Sequence, residues 1–556
     1  MSPRALAWVL AAWALSTCVL CAAVHRAFAL SADAEHPIAV VASVWQGGKL
    51  VARAVLARDT DHDAALDAAA ALPGATLVHE AVVATGPVAP WPSVALSLSF
   101  VPGLDGLSVT YGGRTAYVTP DDLLAAQAYD HGVALSSMQL SFGLDLPVAL
   151  AKASDALGVP VRDLVDHGTL RRFRVARARP PAAITADTLT RDDALRGATA
   201  MARYLARGVD QDGRFRYLVN APTDQTLPGY DWPRHAGATY FLAQAAGVTH
   251  DADLGYAALR AAALLRDHAM VDCGAHRCIA DEPYADVGST ALAVLAFVEV
   301  ARTKLDPGYA LVVPELTAFL RSQQRADGEF MHVYERPARR PLDIQLLYYS
   351  GEATFALARA HALLGDPRDL DAATRGLAHL AGPAWSFFGS RYYWGEEHWT
   401  CQAMDELWGR APAEVTAGAL DFCLGWQAFN RRLQYGEGET LFDGDGAYGV
   451  GPFVTPRLTP AGSRSEAAVA TLDAAIRAEQ PQAERDRLER QARRSLAMLL
   501  RHELPAGRAY LLADPLAVEG AMPGSEVDWQ LRIDYAQHAG CALVRWIELS
   551  AQSTKE

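Results

Sequence analysis

The alternation of apolar and polar positions divides the chain into three stretches of different texture. One Arg precedes an uncharged apolar run from Ala5 to Val24, 20 residues long. That length just spans a bilayer as a helix, and Ala27-Phe28-Ala29 fits the small-x-small site at which leaders are cut. Residues 1–29 are therefore expected to be a signal peptide or a retained anchor helix. Either places the protein outside the cytoplasm, in the periplasm or cell envelope, with an inner-membrane tether if the run is kept.

Residues 36–175 read as a small α+β domain. Alternating apolar segments at Ile38 to Val44 and Val94 to Val101 suggest strands, and Gly47-Gly48 and Gly112-Gly113 suggest tight turns. Helical periodicity occurs at 62–72, 120–130 and 145–166. The basic stretch Arg171 to Arg179, followed by Pro180-Pro181, marks a linker at 176–186.

From 187 to 550 the text is helical and alanine-rich, and it repeats. Asp212-Gly213-Arg214-Phe215-Arg216-Tyr217 is echoed by Asp327-Gly328-Glu329-Phe330-Met331-His332-Val333-Tyr334. Both follow one helical pattern and precede another. Six pairs emerge, with first helices near 192–207, 252–269, 309–324, 367–380, 412–431 and 484–503. The second helices begin near 235, 286, 350, 397, 465 and 536. The glycine- and proline-rich stretch 432–464 makes the fifth pair the least regular. A helical hairpin cannot bury its apolar face alone, so neighbours stack; six closed into a ring predict a mainly α (α/α)6 toroid with the second helices inside.

Composition agrees: 51% of residues are apolar and 21% charged, too apolar for a disordered chain. A formal charge of −14 excludes a sequence-independent grip on nucleic acid. No phosphate loop or Gly-x-Ser-x-Gly elbow is present. Five cysteines lie beyond the leader. Cys273 and Cys278 could close a small disulfide loop, while Cys401, Cys423 and Cys541 read as small buried hydrophobes.

On its hairpin count, its DGRFRY and DGEFMHVY loops and the polar, aromatic text heading the second helices, the 185–550 region resembles the six-hairpin glycosidase superfamily. Polysaccharide lyases and uronyl epimerases are relatives of that superfamily. The resemblance implies a cleft where the loops entering the inner helices converge, and a carbohydrate polymer or oligosaccharide as partner.

The residues at those positions carry two chemistries. Hydrolysis of a glycosidic bond needs paired carboxyl groups, one acid and one ionised; Glu352 and Glu397 lead, with Asp534 next. Uronate lyase or epimerase chemistry needs a His or Tyr base and an Arg for the substrate carboxylate; His235, His398, His538, Tyr349, Arg234 and Arg532 could supply it. Trp232 and Trp394 offer stacking faces. Hydrolysis is the first expectation, with His235 counted among the catalytic candidates, and lyase or epimerase action the second. A non-catalytic glycan- or protein-binding ring in envelope assembly stays open. So does a zinc enzyme similar to lanthionine cyclases, because His398 and Cys401, and His538 and Cys541, are each three residues apart on a helix. The Cys-His-Gly signature of those cyclases is absent, and no metal or cofactor is assigned.

Overall fold

A computed structural model describes residues 37–88, 99–129, 143–176, 184–281, 283–383, 398–440, 443–449, 455–505 and 507–553. The expected leader at 1–29, the centre of the expected linker at 177–183, and the candidates Trp394 and Glu397 lie outside these residues.

The N-terminal part is a six-stranded antiparallel sheet: β1 (Ala39–Gln46), β2 (Lys49–Leu56), β3 (Thr76–Pro87), β4 (Asp105–Tyr111), β5 (Arg114–Val118) and β6 (Thr169–Ala176), in the order β2-β1-β3-β6-β4-β5. Gly47-Gly48 and Gly112-Gly113 all have positive φ. They form the two-residue turns that place Gln46 opposite Lys49 and Tyr111 opposite Arg114. Helices α1 (Ala64–Ala70) and α2 (Pro120–Ala125) start at side-chain caps, Asp63 and a Thr119–Asp122 capping box. The pattern at 145–166 is not one helix but two, α3 (Leu146–Leu157) and α4 (Val161–His167). Gly158, left-handed at φ 65°, ends the first, and Pro160 heads the second.

Twelve helices follow among the described residues. The outer set is α5 (Arg191–Arg207), α7 (Ala252–Leu264), α9 (Val313–Ser322), α11 (Pro367–Ala381), α13 (Ala413–Arg431) and α15 (Gln482–His502). The inner set is α6 (Trp232–Thr249), α8 (Val287–Arg302), α10 (Tyr349–Leu364), α12 (Trp399–Leu407), α14 (Leu458–Arg477) and α16 (Ile533–Ser553). Each inner helix packs on the next, and α16 packs back on α6, so the inner ring is closed. The two sets differ as burial demands. In α5 only the stripe through Ala194, Ala198, Met201 and Leu205 is covered, whereas α8 is buried from Val287 to Ala301. A short sheet seals the seam: β7 (Leu218–Asn220), from the first hairpin, pairs with β8 (Gln530–Arg532), from the last.

The repeated Asp-Gly loops are anchors between hairpins. Gly213 and Gly328 have φ of 89° and 94°, and a Cβ on either would sit within 2.4 Å of a carbonyl oxygen on the next outer helix, Arg260 or Arg375. Only glycine fits there. Phe215 and Phe330 are the buried plugs. A third copy occurs at Asp445-Gly446-Ala447-Tyr448, with Gly446 against the Arg494 carbonyl and Tyr448 bridging Gln434 as Phe215 bridges Val209. The stretch that reads as an irregular insertion thus contains the same device in hairpin five.

The chain carries two disulfides among the described residues, Cys273–Cys278 and Cys401–Cys423. The second corrects the expectation that Cys401 and Cys423 are free packing thiols; it staples inner α12 to outer α13. Cys541 is a buried free thiol. No described helix is long and apolar enough to cross a membrane.

Candidate functional site

The N-terminal ends of the inner helices gather the polar residues singled out above. Asp231 caps α6, accepting from the Arg234 amide at 3.0 Å and from the Tyr217 hydroxyl at 2.8 Å. Arg234 pairs with Asp231 and extends to Asp534 at 3.2 Å. Arg532 clasps Asp534 through Nε at 2.6 Å and Nη2 at 2.9 Å. Burial alone would push the Asp534 carboxyl up, but Arg532 and then Arg234 hold it at about 2. A carboxylate so held is an arginine anchor and a poor proton donor, so of the two duties expected of the carboxyl pair only the ionised one stays open to it.

His235 also departs from its expected role. It is fully buried, with Nδ1 2.6 Å from the Tyr230 hydroxyl and Nε2 2.9 Å from the Ala261 carbonyl. Burial pushes its imidazole down to about 4. Both nitrogens are engaged in the wall between α6 and α7, where Trp232 and Phe215 pack edge-on against the ring. Trp232 is thereby part of that wall as well as of the loop.

On the neighbouring helices, Asp286 caps α8 through Ser289, whose amide and hydroxyl both lie 2.6 Å away. The surrounding protein pushes this carboxyl up, and the nearby Asp231 adds to the shift. Tyr349 hydrogen-bonds Asp286; burial, Asp286 and Glu352 raise the Tyr349 phenol. Glu352 is buried beside Gly288, where a Cβ would stand 2.5 Å from its Oε2. The distance from Glu352 to its expected partner Glu397 is outside the described residues.

The remaining candidates, His398 and His538, come together. Their rings are 5.2 Å apart and nearly perpendicular at 78°, with Trp399 4.3 Å from His398. Glu466, fully buried on α14, stands 2.7 Å from His538 Nδ1. Gly462 makes this possible: a Cβ there would lie 2.9 Å from the α16 backbone, so only glycine lets α14 approach closely enough. Glu466 lies beyond the second turn of the fifth inner helix, and nothing in one strand of text pairs it with a histidine 72 residues on.

Donor atoms of His398, Glu466 and His538 all lie within 4.8 Å of one another, a set that suits a borderline metal such as zinc. The expected two-nitrogen, two-sulfur site is not what forms, because Cys401 is consumed in the disulfide with Cys423. Cys541 stays protonated, its thiol pushed up by burial and by Glu466.

No protein-family model matches the chain, and no curated protein sequence does. Among solved structures, a D-mannose isomerase aligns over 66% of this chain and 100% of its own, with 12% identity and a TM-score of 0.49. The cellobiose 2-epimerase of Bacillus thermoamylovorans B4167 aligns over 64% and 98%, with 10% identity and 0.47. An unsaturated glucuronyl hydrolase specific for heparin aligns over 65% and 99%, with 12% identity and 0.45. The likeness is architectural.

Proposed function

We propose that the chain is a carbohydrate-active enzyme that moves a proton on a sugar, as an isomerase or epimerase, with His538 and His398 as the acid–base pair. The observation that carries this is the carboxylate behind the histidine pair. A carboxylate oxygen accepts, so the contact of Glu466 Oε1 with Nδ1 puts the ring proton there and leaves the lone pair on Nε2. His538 takes the proton from the carbon beside the sugar's carbonyl, and the bonding electrons move into the carbonyl. His398 gives a proton to the developing oxyanion, forming a neutral enediol. Returning a proton to the neighbouring carbon, as the original hydroxyl gives up its proton, isomerises the sugar; protonating the same carbon from the opposite face, as the new enediol hydroxyl returns its proton to His398, epimerises it.

A neutral sugar fits better than a uronate. The arginines expected to neutralise a substrate carboxylate, Arg234 and Arg532, already have Asp231 and Asp534 as counter-charges. The test is incubation with a panel of neutral aldoses and oligosaccharides in heavy water. Deuterium entering carbon 2, and lost by at least about 100-fold in H538Q, supports proton transfer. Unlabelled sugars throughout would defeat it.

Hydrolysis is the second reading, and one observation favours it: Asp286 is pushed toward its acid form near an ionisable Asp231. Release of new reducing ends, abolished in D286N, would establish it in place of proton transfer. The reading includes export by residues 1–29, which N-terminal sequencing of the mature protein tests.

A further inference from the structure

Behind the histidine pair, three more side chains form a buried line through the inner ring. Arg545 on α16 donates from Nε to Gln402 Oε1 at 3.0 Å. Gln402 on α12 donates from Nε2 to Glu466 Oε2 at 3.1 Å. The other oxygen of Glu466 meets His538. Gln402 and Glu466 are wholly buried, and the far end of the line is fixed by Asp405, 3.2 Å from Arg545 Nη1.

We propose that Gln402 and Arg545 are positioning residues that set the tautomer of His538. An amide has a carbonyl end and an amino end of nearly the same shape, so its partners alone decide its orientation. Arginine only donates and therefore takes the carbonyl end. The amino end then points at Glu466 and holds Oε2, and Oε1 remains for the His538 ring. A competitor stands ready: the Gln537 amide nitrogen lies 3.3 Å from the same His538 Nδ1. If Glu466 is released, Gln537 donates to Nδ1 instead, the ring proton moves to Nε2, and Nε2 no longer carries a lone pair. Arg545 and Gln402 thus favour one tautomer over a built-in alternative.

The inference rests on His538 being the base of the proposed reaction, but it is tested without any sugar. In protein with nitrogen-15 histidine, long-range proton–nitrogen spectra distinguish the two tautomers directly. Wild-type His538 is expected with the proton on Nδ1 at neutral pH. In Q402M, close in length and unable to donate, the Nε2–H form is expected to become the major species. R545K, which keeps the charge but loses the Nε geometry, is expected to move part of the way. An Nε2–H ring in the wild type overturns the proposal, as does an Nδ1–H ring in folded Q402M. Should Q402M fail to fold by circular dichroism, R545K and the wild-type spectrum decide. Absence of deuterium exchange from sugars would refute the reaction and leave the tautomer result standing.

Discussion

The Asp534 anchor gives the sharpest quantitative test. Replacing Asp534 by Asn keeps the shape and removes the charge that Arg532 and Arg234 share. In the fold the carboxyl sits at about 2, against an ordinary value of 3.8. At 1.36 kcal/mol per unit, that difference is worth about 2.5 kcal/mol in favour of the ionised form. The site is buried, 5% exposed, so solvent screening takes little away. Arg532 is then left beside a neutral amide, and breaking a buried pair by removing one partner costs about 3–5 kcal/mol in other proteins. D534N is therefore expected to lose about 3 kcal/mol at pH 7 in urea unfolding followed by circular dichroism. The folded pKa lies below the unfolded one, so the stabilisation is present above pH 3.8 and disappears as pH falls through 2. The gap between wild type and D534N should shrink to about half near pH 3. A D534N protein within about 0.5 kcal/mol of wild type at pH 7 would refute the anchor and return Asp534 to the candidate acids.

Other outcomes follow from features remote from that pair. Burial pushes both His235 and His332 down to about 4 from 6.5, so the unfolded chain binds more protons between those values. Each should withdraw about 3 kcal/mol as pH drops through that window, and thermal midpoints that hold steady from pH 7.5 to 4 would contradict it. The Cys401–Cys423 bridge closes a loop with a sequence separation of 22. C401A/C423A is expected to unfold about 3 kcal/mol more easily under oxidising conditions and to match wild type once both are reduced. G462A forces α14 away from α16 and should cost about 1–3 kcal/mol. Its His538 nitrogen shifts should also change; unchanged shifts would mean that Gly462 does not govern the Glu466 contact.

Much of the ring was legible because hairpin stacking writes a double signature into the text. The outer helices alternate covered and exposed faces, and the inner ones are buried nearly all round, so their starts were found close to Trp232, Val287 and Tyr349. The third Asp-Gly anchor was not, since Gly446 is followed by Ala447 and Tyr448 and lacks the phenylalanine that made the other two alike. Polar residues were found, but their duties were not, because duty depends on direction. His235 heads an inner helix as His398 does, yet its ring turns outward to Tyr230 and a carbonyl. Asp534 looks like an acid until two arginines from hairpins one and six arrive on it. The two cysteines of the α12–α13 staple sit on different helices and carry no sequence mark that separates them from Cys541.

The pairing of β7 with β8 has a bearing on biosynthesis. A ribosome emitting this chain delivers Asp231 and Arg234 some 300 residues before Asp534, the partner that bridges them to Arg532. Until the last hairpin emerges, Leu218 to Asn220 form an unclaimed strand edge, which is a hazard for pairing with other chains. The seam then closes and shields that edge in the same event that assembles the arginine anchor and brings His538 to Glu466. The proposed chemistry would thereby be withheld from nascent fragments, and a chain cut short before Gln530 would lack His538 and leave that strand edge open.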